Sequence, residues 1–306
     1  MVGPGIWESA VVSALLLAAG ASATPSATPP RTMSEILAAS TAADWRTLDP
    51  QQTLYVELST GRVIIELAPS FAPNHAANVK ALVREKYFDG IPIVRSQDNY
   101  VVQWGDPDGK REVKAAKKTL PPEFERAAKG LAFNKLVDGD VYAPEVGHAE
   151  GFPAAGDPKT GRAWLAHCYG MVGAGRDEAI DSGGGIELYV VTGHAPRHLD
   201  RNITLLGRVV RGMELLSALP RGTGALGFYE KPEQRVPVRA MRVASDVPEA
   251  GRSALQVLRT DTATFAQIIE AKRNRRDPWT KLPAGHIELC NVPLPVRATP
   301  ATAPKP

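Results

Sequence analysis

Ile91-Pro92-Ile93-Val94-Arg95-Ser96-Gln97-Asp98-Asn99-Tyr100-Val101-Val102-Gln103-Trp104-Gly105-Asp106-Pro107 is the stretch on which the fold turns. Two runs rich in β-branched and aromatic residues, Ile91 to Arg95 and Tyr100 to Gln103, flank the polar Ser96-Gln97-Asp98-Asn99, and Trp104 to Pro107 closes the second run. This order of β-formers and turn-formers reads as an antiparallel strand pair. Upstream, Thr53 to Leu58 and Arg62 to Leu67 lie around Ser59-Thr60-Gly61, which predicts a β-hairpin. Pro69 and Pro73 break that strand. Pro73 suits the first turn of a helix running from Asn74 to about Lys86, with Ala76, Val79, Leu82 and Val83 on its core face.

Downstream, Ala163 to Val172 reads as a strand, Gly173 to Gly185 as a glycine-rich loop, and Ile186 to Val191 and Leu205 to Val210 as further strands. Met213 to Leu219 is a short helix ended by Pro220, and Val236 to Val243 supplies a closing strand. Strands interrupted by only two helices, without regular βαβ alternation, argue for a mainly antiparallel β barrel rather than a doubly wound sheet. The span 110–163 is charged, rich in Gly and Pro and weakly periodic, so it reads as a long inserted surface loop with room for one short hairpin. Met33 to Ala43 predicts a short amphipathic helix. Ser253 to Arg276 predicts a C-terminal helix bearing Leu255, Leu258, Phe265, Ile268 and Ile269, followed by an extended Ile287 to Val296 and a disordered Ala/Thr/Pro tail.

With 36 basic and 33 acidic residues spread along 306, the net charge of +3 offers no polybasic arm for nucleic acid. The one basic cluster, Lys110 to Lys118, is answered by Glu123 and Glu125 and reads as a solvated face. Partners are therefore expected to be polypeptides. An apolar run, Ala10 to Ala19, followed by Ala21-Ser22-Ala23, has the pattern of a secretory leader, although Glu8 stands where a basic residue is usual. Residues 1–23 are read as that leader and the mature chain as periplasmic or secreted, without stable membrane insertion. Cys168 and Cys290 have no metal-ligand spacing around them. They form one disulfide in an oxidising compartment or remain two buried thiols in a reducing one, and the sequence leaves both open.

The hairpin Val56 to Leu67, Ala72-Pro73-Asn74, Tyr87-Phe88-Asp89-Gly90, Ile93-Val94-Arg95, Tyr100 to Pro107, Met171-Val172-Gly173-Ala174-Gly175, Glu187-Leu188-Tyr189, Leu199-Asp200 and Leu206 to Met213 follow one another in an order that resembles the cyclophilin family. The resemblance covers most of Thr53 to Leu219 and is specific through its order rather than through any single piece. It implies an eight-stranded antiparallel barrel capped by two helices, with a substrate groove on one outer face. It also implies peptidyl-prolyl cis-trans isomerase activity on proline-containing clients, without cofactor or metal.

By the same resemblance Arg95 is the catalytic arginine, and Gln103 is the residue that bonds the substrate backbone. Tyr100, Val101, Tyr189, Leu199 and Ile203 line the proline seat. Val172 and Gly173 offer main-chain groups, and Glu187 and His198 border the groove. A lone strand-end arginine is ordinarily a surface ion pair; the surrounding motif overrides that default here. The chain departs from the family at several of these positions. Tyr100 and Tyr189 replace Phe, which is expected to bring two hydroxyls to the seat. Val101 replaces Met, Ile203 replaces His, Glu187 replaces Gln, and His198 stands where a tryptophan associated with cyclosporin contact is usual, so weak cyclosporin binding is expected.

Other chemistries lack support. His194 and His198 flank Pro196, which disfavours a helical metal pair, and no third ligand is evident. There is no nucleophile elbow, and Gly183-Gly184-Gly185 lacks the Lys-Ser/Thr of a phosphate loop. The chain is thus divided into a leader (1–23), a linker with a short helix (24–50), an isomerase domain (51–247, insertion 110–163) and an extension with one helix (248–306), and is expected to be a monomer. Two functions remain open: a prolyl isomerase, or a cyclophilin-like module that grips proline-containing segments with little turnover.

Overall fold

The computed structural model describes residues 31–300; the leader and the last six residues of the tail lie outside them. Helix α1 (Met33–Ala38) begins at Thr32, which exchanges reciprocal capping bonds with Glu35. Strand β1 (Trp45–Thr47) precedes the hairpin of β2 (Thr53–Leu58) and β3 (Gly61–Leu67), whose register places Leu58 opposite Gly61 and leaves Ser59-Thr60 as the turn. Pro73 opens α2 (Pro73–Arg84), and β4 (Pro92–Ser96) and β5 (Val101–Trp104) form the predicted pair.

The inserted span is not a loop. It folds into β6 (Arg126–Ala127), β7 (Phe133–Lys135), β8 (Glu145–Ala149), β9 (Phe152–Asp157) and β10 (Arg162–Leu165), a five-stranded antiparallel sheet in the order β6-β10-β9-β8-β7. Its strands are built on Ala and Gly (Phe152-Pro153-Ala154-Ala155-Gly156), so they carry little β-branched signal and take their apolar character from burial against a partner. The single strand expected over Ala163 to Val172 is two: β10 ends at Leu165, and β11 (Met171–Ala174) begins after a turn.

Next come β12 (Leu188–Val191), β13 (Leu205–Arg211), α3 (Met213–Ser217), β14 (Val236–Pro237) and β15 (Ala240–Val243). The main sheet runs β14-β4-β5-β12-β11-β13-β3-β2-β15. Its two outermost members are halves of one stretch. Gly90 N–H donates to Val238 O (2.7 Å), and one residue on Arg239 N–H donates to Glu57 O (2.8 Å). The 236–243 strand therefore touches both edges and curls the sheet on itself, which makes the expected eight strands. Leu54, Val56, Val63, Ile65, Val102, Trp104, Val172, Leu188 and Val190 fill the interior, with Val79, Leu82 and Val83 of α2 and Leu216 of α3 packed against them.

The C-terminal extension also differs from expectation. Leu255 and Leu258 belong to a strand, β16 (Leu255–Leu258), and only Ala263–Arg273 is helical (α4). β17 (Val296–Ala298) pairs with β16, which pairs with β1, so part of the presumed tail is a sheet strand. This small sheet covers Tyr55 and Ile64 on the outer side of β2 and β3. A disulfide joins Cys168, just before β11, to Cys290 in the extension. A third apolar layer lies between the outer face of the barrel and the inserted sheet, α1 and α4; Val101, Tyr189, Val191 and Leu205 meet Phe152, Trp164, Leu165 and Phe265 there. Strands with apolar residues on both faces, such as Val63-Ile64-Ile65, are explained by this double burial.

Candidate active site

Alternation along the strands decides which side chains leave the barrel. Val102, Trp104, Val172, Leu188 and Val190 point inward. Gln103, on the opposite parity, pairs in register with Tyr189, and Tyr189 with Gly173, so these three share the outer face. The side chain of Val172 is therefore core, and its main chain is paired with Val190 on one side and Gly207 on the other, so the main-chain groups expected to meet substrate at Val172 are engaged in the sheet. β11 is flanked on both sides by β12 and β13, and its register against β13 shifts between Val172 and Gly173.

Arg95 projects from β4, where the pairing with β5 also shifts between Ile93 and Arg95. Its half-buried guanidinium has partners on every nitrogen. Nη1 donates to Gln103 Oε1 (3.3 Å), Nε to Leu226 O (2.6 Å), and Nη2 to Gln97 Oε1. It stands 5.4 Å from the Tyr100 ring centroid and 5.3 Å from that of Phe228, within cation–π range of both. Burial lowers its pKa from the ordinary arginine value, but an arginine remains charged at physiological pH.

Gln103 is oriented from both ends: while its Oε1 accepts from Arg95, its Nε2 donates to Glu187 Oε2 (2.7 Å). Burial raises the pKa of the Glu187 carboxyl, against the bond from Gln103 and with help from Asp177 and Asp106. Gly105 allows Glu187 to lie this close, because a Cβ there would sit 2.5 Å from Glu187 Cγ. Arg95, Gln103 and Glu187 thus form one polar file on the outer face of the barrel.

The apolar positions separate. Val101 and Tyr189 are buried in the layer under the insertion, with Tyr100 and Ile203 packed partly against it. The Tyr189 ring crosses Gly173 so closely that a Cβ at 173 would be 2.3 Å from the hydroxyl. That hydroxyl, expected to enter or border a proline seat, is engaged elsewhere: it lies 2.8 Å from Nε2 of the fully buried His167. Leu199 is half-buried and His198 exposed on the turn Arg197–Leu199. His198 faces a cleft of about 670 Å³ shared with Phe124, Tyr142 and Trp164 of the insertion. Arg95, Tyr100, Gln103 and Glu187 are therefore linked by direct contacts, whereas His198 opens onto a different surface. Sequence reading missed Gln97, Leu226, Phe228 and His167. The bridge between Arg95 and Phe228 joins positions 133 residues apart in a Gly-rich loop without strand signal.

A curled antiparallel barrel closed by the 236–243 strand and packed against two helices defines the fold class, and an arginine, an amide and an aromatic side chain meet on its outer face. The family described as "Cyclophilin type peptidyl-prolyl cis-trans isomerase/CLD" matches residues 53–243, and this chain belongs to that family. Among its relatives, a Brucella suis biovar 1 protein described as a "probable peptidyl-prolyl cis-trans isomerase" is 25% identical over 187 residues, 61% of this chain and 81% of the relative. A Synechocystis protein whose name places a peptidyl-prolyl cis-trans isomerase in the thylakoid lumen is 28% identical over 186 residues, 55% of this chain and 44% of that one. Among solved structures, the cyclophilin AquaCyp293 from Hirschia baltica superposes with a TM-score of 0.67 at 25% identity, covering 83% of this chain and 92% of the other.

Proposed function

We propose that the chain accelerates cis–trans exchange of X–Pro bonds in exported polypeptides, with Arg95 as the catalytic residue. Rotation about a peptide bond faces a barrier of about 18–20 kcal/mol because the nitrogen lone pair is delocalised into the carbonyl. A planar, permanently charged guanidinium beside the prolyl nitrogen favours the twisted state, in which that lone pair is localised. No proton transfer, metal or covalent intermediate is needed. Gln103 holds the substrate backbone, Tyr100, Val101, Tyr189, Leu199 and Ile203 seat the ring, and the main chain at Gly173 meets the preceding residue. The observation that carries this reading is the Arg95–Gln103 contact beside the Tyr100 ring.

Export is supported by the apolar run Ala10 to Ala19 together with the Cys168–Cys290 disulfide, a bond that persists in oxidising compartments. The mature chain is then periplasmic or secreted. Among the described residues no helix is long and apolar enough to cross a membrane.

A second reading, a low-turnover grip for proline-containing segments, is favoured by the three intramolecular partners of Arg95, which a substrate must compete with or share. A protease-coupled assay on an Ala-Pro peptide separates the two. Arg95→Ala is expected to lower kcat/KM by about 10²–10³-fold, the scale of removing one donor aimed at a transition state. Equal rates for the two proteins leave only the binding role.

A further inference from the structure

Behind the proline seat runs a file of buried polar groups that isomerisation does not use. The Tyr189 hydroxyl is 2.8 Å from His167 Nε2. On the other side of the ring, Nδ1 is 2.9 Å from Asp200 Oδ1, which also accepts the His167 backbone N–H at 2.8 Å. Asp200 Oδ2 accepts from Arg197 Nε (2.6 Å), and the two terminal nitrogens of Arg197 donate in parallel to both oxygens of Asp140, each at 3.0 Å. The side chains of His167, Arg197, Asp200 and Asp140 are 0, 1, 7 and 2% exposed, so water does not substitute for these bonds.

The roles along the file are determined by chemistry. A carboxylate only accepts, so His167 Nδ1 carries its proton toward Asp200. Burial holds the pKa of His167 below the usual imidazole value, which keeps the ring neutral and leaves Nε2 as an acceptor for the Tyr189 O–H. The file also anchors the far wall of the seat. Arg197 and Asp200 bracket His198 and Leu199, and Asp140 belongs to the insertion between β7 and β8, where Tyr142 lies 5.2 Å from the Arg197 guanidinium.

We propose that Asp140 is a positioning residue for the proline seat: through Arg197, Asp200 and His167, the inserted sheet sets both the Tyr189 ring and the turn that carries Leu199. This rests on the proposed seat but not on turnover. A buried bidentate pair is geometrically exacting, and members of one hydrogen-bond file act as a unit rather than as independent contacts. The insertion is thereby a working part of the binding site.

The test is a double-variant cycle on the Kd of an Ala-Pro tetrapeptide, followed by NMR titration of the labelled protein. It uses wild type, Asp140→Asn, Tyr189→Phe and the two combined. Each single variant is expected to weaken binding by about threefold to tenfold, and the double variant to bind about as weakly as the weaker single, because both break the same file. Effects that multiply in the double variant overturn the proposal. So does wild-type affinity in Asp140→Asn alongside a lowered Tm, which marks Asp140 as a purely structural residue. Because Kd is read without turnover, a wild type that binds but does not catalyse sinks the isomerase reading and leaves this one standing.

Discussion

Glu187 shows how one substitution resets a groove. A carboxylate stands where the family usually has an amide, accepts from Gln103 Nε2, and lies half-buried with Asp106 and Asp177 adding negative charge nearby. Its pKa is raised in the folded state, so folding favours the protonated form and the ionised form weakens the fold. The stability linked to this group is complete below the ordinary glutamate range and is lost as pH rises through the raised pKa. Glu187→Gln keeps the shape of the residue and removes the charge. Its Tm is expected to exceed that of wild type at pH 7, with the gap closing as pH falls toward 4; a gap independent of pH contradicts this cause. As a candidate, Arg95 was legible from its motif, as was Gln103. The contact of Arg95 with Leu226 O was not, because a main-chain carbonyl carries no residue signature.

At the scale of elements, long-range ties hold the additions onto the barrel. Glu66 on β3 takes Arg46 of β1 on one oxygen and faces the buried Arg208 of β13 at 3.4 Å on the other. Removing that carboxylate leaves Arg208 as a buried charge without its counter-ion. Glu66→Ala is therefore expected to cost about 3–5 kcal/mol in denaturant unfolding, more than an exposed pair would. The Cys168–Cys290 bond closes a span of 122 residues. Restricting the unfolded chain over such a loop contributes about 2–4 kcal/mol. Cys168→Ala with Cys290→Ala should lower the unfolding midpoint accordingly, and reductant should lower that of wild type only; a midpoint indifferent to both contradicts the disulfide. Helix α2 was legible from its apolar spacing and Pro73. Its N-terminal partner was not: Ala72 has no capping side chain, and Glu123 of the insertion accepts instead from the backbone N–H groups of Asn74 and His75.

Across the whole molecule, the barrel was readable because its strands carry β-branched residues at regular intervals and follow a known order. The inserted sheet was not, since Ala154-Ala155-Gly156 has no periodic signal and becomes a strand only against Val101, Tyr189 and Val191. The same burial bears on two of the departures from the family, Val101 and Tyr189. Where the outer face of the barrel is covered by a second layer, a smaller Val101 and a hydrogen-bonded Tyr189 have a packing role beyond contact with substrate. Under the proposed mechanism, catalysis then depends on whether Arg95, held by Gln103, Gln97 and Leu226, still reaches a prolyl nitrogen. Exchange spectroscopy on an Ala-Pro peptide, comparing wild type with Arg95→Ala at matched saturation, reads this directly. The account expects cis–trans exchange cross-peaks with wild type and their loss with the variant, and equal cross-peaks would contradict it.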